Sequence, residues 1–295
     1  MKMLRSINDV TKLNNGVLMP WLGLGVWKAE GQDVVNAVKW AVEAGYRHID
    51  TAAVYGNEKE VGEGLKNCGV SRKDLFVTSK AFKMSYREVL DQMDQTLIDL
   101  QTDYVDLYLI HWPHPELGDA YLDVWAAMER IYKEGKARAI GVANFYSEYL
   151  DRILAEGTVR PAVNQFECHP YYQMPELQKY CREQGIQYQA YSPLGGGAIF
   201  GDERIQKIAD KYGKSIAQVV LRWDLQKGII VIPKSVKQNR ILSNMDVFDF
   251  ELEEEDINTL NSFDINTKIT CARPDQPWPE FLKEKEERMA KGARF

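Results

Sequence analysis

Short apolar, β-branched runs recur along the chain at 22–26, 47–51, 75–79, 104–110, 137–142, 162–166, 187–191 and 229–232, each bounded by polar or turn-forming residues. Their continuous apolar character predicts strands buried on both faces, since a half-exposed sheet would alternate. The stretches between them follow a different period. In 33–44 Val34, Ala37, Val38, Ala41 and Val42 fall on one stripe, and in 119–133 so do Tyr121, Val124, Trp125, Met128 and Ile131, the spacing of helices with one buried face. Ser85 three residues before Glu88, and Ser215 three before Gln218, predict capping boxes at two helix starts.

Strict alternation of strand and helix predicts a parallel sheet, because each crossover is long enough to hold a helix. Eight strands is the number that closes into a (β/α)8 barrel. The 295 residues accommodate one such α/β barrel, read as a single domain over 1–295. Ahead of the first strand, 10–18 predicts a hairpin turning at Asn14-Asn15-Gly16 and placed to plug the barrel's N-terminal end. Beyond a last helix at 253–263, residues 265–295 read as a tail whose Trp278 and Phe281 are placed to serve as a lid.

Composition narrows the class. Hydrophobic residues at 45% and charged residues at 27% suit a globular protein and exclude a disordered or low-complexity chain. The net charge of -6 is spread over interleaved signs, with no basic block to follow a phosphate backbone, so nucleic acid is not an expected partner. Charges interrupt every apolar run short of membrane-spanning length, and Met1-Lys2-Met3-Leu4-Arg5 lacks a signal peptide's apolar stretch. Cys68, Cys168, Cys181 and Cys271 are isolated, as in reduced thiols. Together these features predict a cytoplasmic protein without membrane contact, and a monomer is expected.

Polar groups stand at the C-terminal ends of seven predicted strands: Asp50, Lys80, His111, Asn144, Gln165, Tyr191-Ser192 and Lys234-Ser235. In a barrel that rim carries the active site. His111-x-x-His114 has no cysteine or carboxylate at ligand spacing, so no metal is expected. Gly23-x-Gly25 has Lys28 where a dinucleotide-binding loop needs its third glycine, which rules out that phosphate loop.

Gly45-Tyr46-Arg47-His48-Ile49-Asp50-Thr51-Ala52 followed by Tyr55, and Ile232-Pro233-Lys234-Ser235, resemble signatures of the aldo-keto reductase family. Thr78-Ser79-Lys80, Leu109-Ile110-His111-Trp112-Pro113, Gly141-Val142-Ala143-Asn144-Phe145, Asn164-Gln165 and Tyr191-Ser192-Pro193-Leu194-Gly195 fit in order, so the resemblance runs from about 22 to 263. Short loops at 111–119 and 195–202 are similar to the microbial diketogluconate and glyoxal reductase branch.

The resemblance implies NADPH-dependent reduction of aldehydes and ketones, with small to medium carbonyl, keto-sugar or dicarbonyl substrates. It implies a catalytic tetrad of Asp50, Tyr55, Lys80 and His111, in which Tyr55 is the acid. An ammonium beside a phenol favours phenolate, which suits Lys80 to that arrangement. For the cofactor it implies Tyr191 stacked on the nicotinamide, Asn144 and Gln165 on its carboxamide, and Ser192, Leu194 and Gly195 near the pyrophosphate. Lys234, Ser235, Val236 and Arg240 would surround the 2′-phosphate, with Asn244 near the adenine. Gly25, Trp27 and Asp50 would also contact the cofactor. Two cations and a hydroxyl suit a dianionic phosphate, so NADPH is expected over NADH.

Matching positions give a substrate pocket of Trp27, Val54, Phe82, His111, Trp112 and Trp278. Ala143 replaces a serine common in the family, and Ser243 stands where many members have a glutamate. Two other readings predict different chemistry: a glycosidase using Asp50 and Glu167 as paired carboxylates, and a nicotinamide-binding redox-sensing module with little turnover.

Overall fold

The eight apolar runs pair in chain order as one parallel sheet in a computed structural model of the chain, which describes residues 4–270 together with Lys283 and Glu287. A hairpin, β1 (Val10–Lys12) and β2 (Leu18–Pro20), comes first. The barrel strands follow as β3 (Leu24–Gly25), β4 (His48–Asp50), β5 (Phe76–Ala81), β6 (Leu107–Ile110), β7 (Ile140–Ala143), β8 (Val163–Glu167), β9 (Gln187–Tyr191) and β10 (Ile230–Val231). Between successive strands from β3 to β9 stand α1 (Gln32–Ala44), α2 (Glu58–Asn67), α3 (Tyr86–Leu100), α4 (Ala120–Lys133), α5 (Ser147–Glu156) and α6 (Pro175–Glu183). Two helices, α7 (Glu203–Tyr212) and α8 (Ile216–Gln226), precede β10, and α9 (Gln238–Met245) and α10 (Glu254–Asn261) follow it.

Every residue of β3 to β8 and of β10 is buried, which accounts for apolar runs without alternation. The helices bury the stripes predicted for them, Val34, Ala37, Val38, Ala41 and Val42 in α1 and Tyr121, Val124, Trp125, Met128 and Ile131 in α4. The sheet closes between its first and last strands. Gly23 N–H donates to Val231 O at 2.9 Å and Gly25 N–H to Pro233 O at 3.2 Å, and Leu22 and Gly25 bridge Val231 and Lys234. A Cβ on Gly23 would lie 2.6 Å from His48 Nδ1, and one on Gly25 2.9 Å from Ile232 O. These glycines are therefore there for closure, not for a phosphate loop.

The hairpin turns at Gly16, whose φ of +91° needs glycine, and lies across the N-terminal strand ends. Asn14 Nδ2 donates to Pro161 O at 2.8 Å and Asn15 Nδ2 to Arg138 O at 2.9 Å, carbonyls just ahead of β8 and β7.

Two local expectations differ. The run at 104–110 becomes a continuous strand only from Leu107; ahead of it Val105 makes an isolated parallel bridge to Ala137, and Arg72 donates to the Tyr104 carbonyl (2.9 Å) and the Asp106 carboxylate (2.8 Å). Ser215 and Gln218 form their capping box, but the Ser85 hydroxyl donates to Glu88 Oε2 at 2.6 Å and caps no backbone N–H.

Candidate active site

Parallel strands present their C-terminal ends on one rim, so the polar residues ending β4, β5, β7, β8 and β9 converge there. Lys80 is fully buried on β5. Its ammonium donates to Asp50 Oδ1 at 2.6 Å and Thr51 O at 2.8 Å, and reaches Tyr55 Oη at 3.4 Å. Gln165 Nε2 donates to the other Asp50 oxygen at 2.7 Å and to Gln189 Oε1 at 3.1 Å. Burial lowers the pKa of Lys80 and raises that of Asp50, and their mutual attraction opposes both shifts.

Tyr55 ends a short 3₁₀ turn at Ala53–Tyr55, and its ring meets that of His111 edge to face with centroids 5.6 Å apart. Asn57 fixes this turn from behind. Its Nδ2 donates to Val26 O and Ala29 O, both at 3.0 Å, and its Oδ1 accepts from Thr51 Oγ1 at 2.8 Å. Burial, the Lys80 charge and His114 hold the His111 pKa well below the usual imidazole range, so the ring is neutral at pH 7.

A cavity of about 280 Å³ opens above these groups. Asp50, Tyr55, His111, Trp112, Val54, Phe82, Asn144, Gln165, Tyr191 and Gly25 line it, Val54 and Phe82 being solvent-exposed. Trp27, Ser192 and Lys234 are shared with a second cavity of about 950 Å³, whose wall includes Leu194, Ser235, Arg240 and Asn244. The predicted site residues thus line one continuous groove, with four exceptions, the first being Lys80, which is buried beneath it. Gly195 packs beside His169 and Ile269 without lining either cavity, Val236 packs on the core, and Trp278 lies outside the described residues.

Asn144 (φ +65°) and Ser192 (φ +47°) adopt left-handed backbone just past β7 and β9. Such strain in non-glycine residues concentrates at ligand sites. The Asn144 amide is oriented by its neighbours: Oδ1 accepts from Tyr191 Oη at 2.8 Å, and Nδ2 donates to His111 O at 3.0 Å.

Several residues of the groove were not singled out in the sequence. Lys28 lies over the Trp27 ring at 4.3 Å and joins Lys234 and Arg240 along the larger cavity, where Lys234 and Arg240 are solvent-exposed. The start of the predicted tail is docked into the barrel. Glu167 Oε1 accepts from Ile269 N–H at 2.6 Å and Thr270 N–H at 3.0 Å, and Oε2 accepts from Thr270 Oγ1 at 2.6 Å. Burial alone would raise the Glu167 pKa, but hydrogen bonds from His169 and Thr270 and the Lys268 charge together bring it down to about 2. With Asp50 held by Lys80 and Gln165, and Glu167 by the 269–270 backbone, neither carboxylate has the freedom that paired-acid sugar hydrolysis requires.

Among the described residues no helix is long and apolar enough to cross a membrane, and no three His, Cys, Asp or Glu side chains group as a metal site. Cys68, Cys168 and Cys181 are free and buried.

Residues 21–265 match the Aldo/keto reductase family. The chain belongs to that family. It is an oxidoreductase, as its motifs implied. It is 48% identical to the glyoxal reductase of Bacillus subtilis over 90% of this chain and 96% of that protein. It is 43% identical to the methylglyoxal reductase DkgA of Escherichia coli over 90% of this chain and 97% of that one. Among solved aldo-keto reductases, the Bombyx mori enzyme in complex with NADP superposes with a TM-score of 0.83 at 36% identity, covering 89% of this chain and 94% of that one. The solved Bombyx mori enzyme shares this chain's fold, and the two bacterial relatives belong to the microbial reductases that the short rim loops resemble.

Proposed function

We propose that the protein reduces small aldehydes, ketones and dicarbonyl compounds to alcohols with NADPH, Tyr55 protonating the carbonyl oxygen. The observation that carries this reading is the buried Lys80 ammonium held between the Asp50 carboxylate and the Tyr55 hydroxyl, directly beneath an aromatic-walled cavity. NADPH, when bound, supplies the hydride.

The donor set suits that cofactor. Asn144 has its oxygen occupied by Tyr191 and so offers an N–H, while Gln165 has its amide nitrogen occupied by Asp50 and Gln189 and so offers an oxygen. One donor and one acceptor match the two ends of a carboxamide. Lys28, Lys234 and Arg240 gather positive charge along the larger cavity, beside the buried Ser235 hydroxyl. That wall suits a 2′-phosphate and favours NADPH over NADH.

The Lys80 ammonium eases proton loss from Tyr55 by stabilising phenolate, and Asp50 holds that ammonium in place. Neutral His111 donates from one ring nitrogen to the substrate oxygen and sets its angle without adding a competing charge. Trp27, Trp112, Val54 and Phe82 give the carbonyl an apolar wall. The small, open cavity and the activities named for the bacterial relatives support glyoxal-like dicarbonyls as the substrate class.

The test is NADPH absorbance decay with purified protein and methylglyoxal, an aromatic aldehyde and a keto-sugar acid. Carbonyl-dependent decay is expected. NADPH binding without decay on any of the three favours the redox-sensing reading instead.

A further inference from the structure

Gln165 on β8 and Gln189 on β9 stand in register on neighbouring parallel strands, and their side chains meet inside the barrel beside Asp50. Gln189 is fully buried. Gln165 Nε2 donates both of its hydrogens, to Asp50 Oδ2 at 2.7 Å and to Gln189 Oε1 at 3.1 Å. A carboxylate only accepts, so Asp50 decides which end of the Gln165 amide turns toward it. One bond still leaves the amide plane free to swing, and the second, to Gln189, fixes the plane. Gln189 Nε2 is buried without a hydrogen-bond partner among the described residues. Such an orphan donor is costly, yet turning the Gln189 amide over would set two NH2 groups against each other. The core thus carries an unpaired donor and keeps an oxygen at this point. Two residues further along β9, Tyr191 Oη donates to Asn144 Oδ1 at 2.8 Å and turns that amide the opposite way. One strand therefore orients both amides that line the smaller cavity.

We propose that Gln189 is a positioning residue for the nicotinamide half of the cofactor, holding the Gln165 amide so that its oxygen accepts from the carboxamide N–H. This rests on the reading of Asn144 and Gln165 as the carboxamide's partners. Gln189 lines neither the smaller nor the larger cavity, so it acts through Gln165 and not by contact with cofactor or substrate. With an apolar side chain at 189, Gln165 keeps its bond to Asp50 but loses the one that fixes its plane, and its oxygen samples directions that miss the carboxamide. The loss is confined to the nicotinamide end, because the larger cavity that takes the phosphates and adenine is built from other residues.

The test is calorimetric titration of NADPH and of 2′-phospho-ADP-ribose, the same molecule without its nicotinamide, on the wild-type protein and on Gln189→Met and Gln189→Glu. In Gln189→Met the NADPH dissociation constant is expected to rise about fivefold, the loss of one neutral hydrogen bond, while that of the fragment stays within about twofold of wild type. Gln189→Glu, which burial keeps protonated, retains an oxygen at the same place and is expected to bind NADPH within about twofold of wild type. If both constants rise together in Gln189→Met, the residue only supports the fold and the proposal is overturned. Gln189→Glu as weak toward NADPH as Gln189→Met overturns it too, because the oxygen would then not be what matters. Gln189→Leu gives the same apolar comparison should Gln189→Met not fold. Wild-type protein that binds neither ligand overturns the cofactor reading along with this proposal, whereas wild-type binding of both with unchanged NADPH affinity in Gln189→Met overturns this proposal alone.

Discussion

Gln165 Nε2 donates to Asp50 Oδ2 at 2.7 Å, tying β8 to β4 across the barrel interior. With Lys80 on the other oxygen, both acceptors of a buried carboxylate are taken, and the ion pair has no water to fall back on. Asp50→Asn strands an ammonium in the core, and breaking one side of a buried pair costs about 3–5 kcal/mol. Urea unfolding should register a loss of that order. An unchanged midpoint would mean that the pair contributes no net stability.

Tyr55→Phe removes a hydroxyl and leaves the ring packed against His111. Loss of a general acid lowers turnover by about 10²–10⁴-fold, while NADPH affinity should stay within about twofold because the cofactor groove is untouched. Steady-state kcat and a cofactor titration on the same preparation separate the two. Turnover within a few-fold of wild type would remove Tyr55 from the acid's role.

Arg240→Ala should weaken NADPH by about tenfold, the lower end for a charged hydrogen bond because Arg240 is solvent-exposed and screened. NADH, with no 2′-phosphate, should bind the variant as it binds wild type. Equal weakening of both cofactors would place Arg240 elsewhere on the ligand.

Stability should fall with acid earlier than carboxylate titration alone would bring about. Burial, and then the Lys80 charge, lower the His48 pKa to about 3 from 6.5. Above pH 6.5 this imidazole is neutral in both folded and unfolded chains and contributes nothing to pH dependence. Below 6.5 the unfolded chain takes up a proton that the folded one refuses, so stability drops by about 1.4 kcal/mol per pH unit from this residue until pH nears 3. His111 adds to the slope with the same sign. Urea midpoints at pH 7.5, 6.5 and 5.5 measure it, with a plateau above 6.5 and a decline below. A flat profile to pH 5.5 would mean that the folded barrel accepts these protons.

The barrel was legible because strands buried on both faces leave short, largely apolar runs, and the rim was legible because polar residues recur at or just past the C-terminal ends of those runs. Asp50, Lys80, His111, Asn144, Gln165 and Tyr191 all fall at such interruptions. Lys28, Asn57 and Lys268 do not. They support or border the groove from loops, where no periodicity ties position in the chain to position in space, and a lysine in a loop carries no mark that sets it apart from a solvated one. Ser85 shows a subtler limit. Its spacing to Glu88 is right for a capping box, but the two side chains bond each other.

The glycine-lined seam between β3 and β10 also bears on how the chain is made. Leu24 and Ile230 are separated by most of the sequence, so the ring cannot shut until nearly all of it has been synthesised. Until then β3 and the latest strand both present unpaired backbone edges, the kind of surface that recruits strands from other molecules. Chains cut short before β10 should therefore be prone to aggregation and dependent on chaperones, however complete their rim residues are.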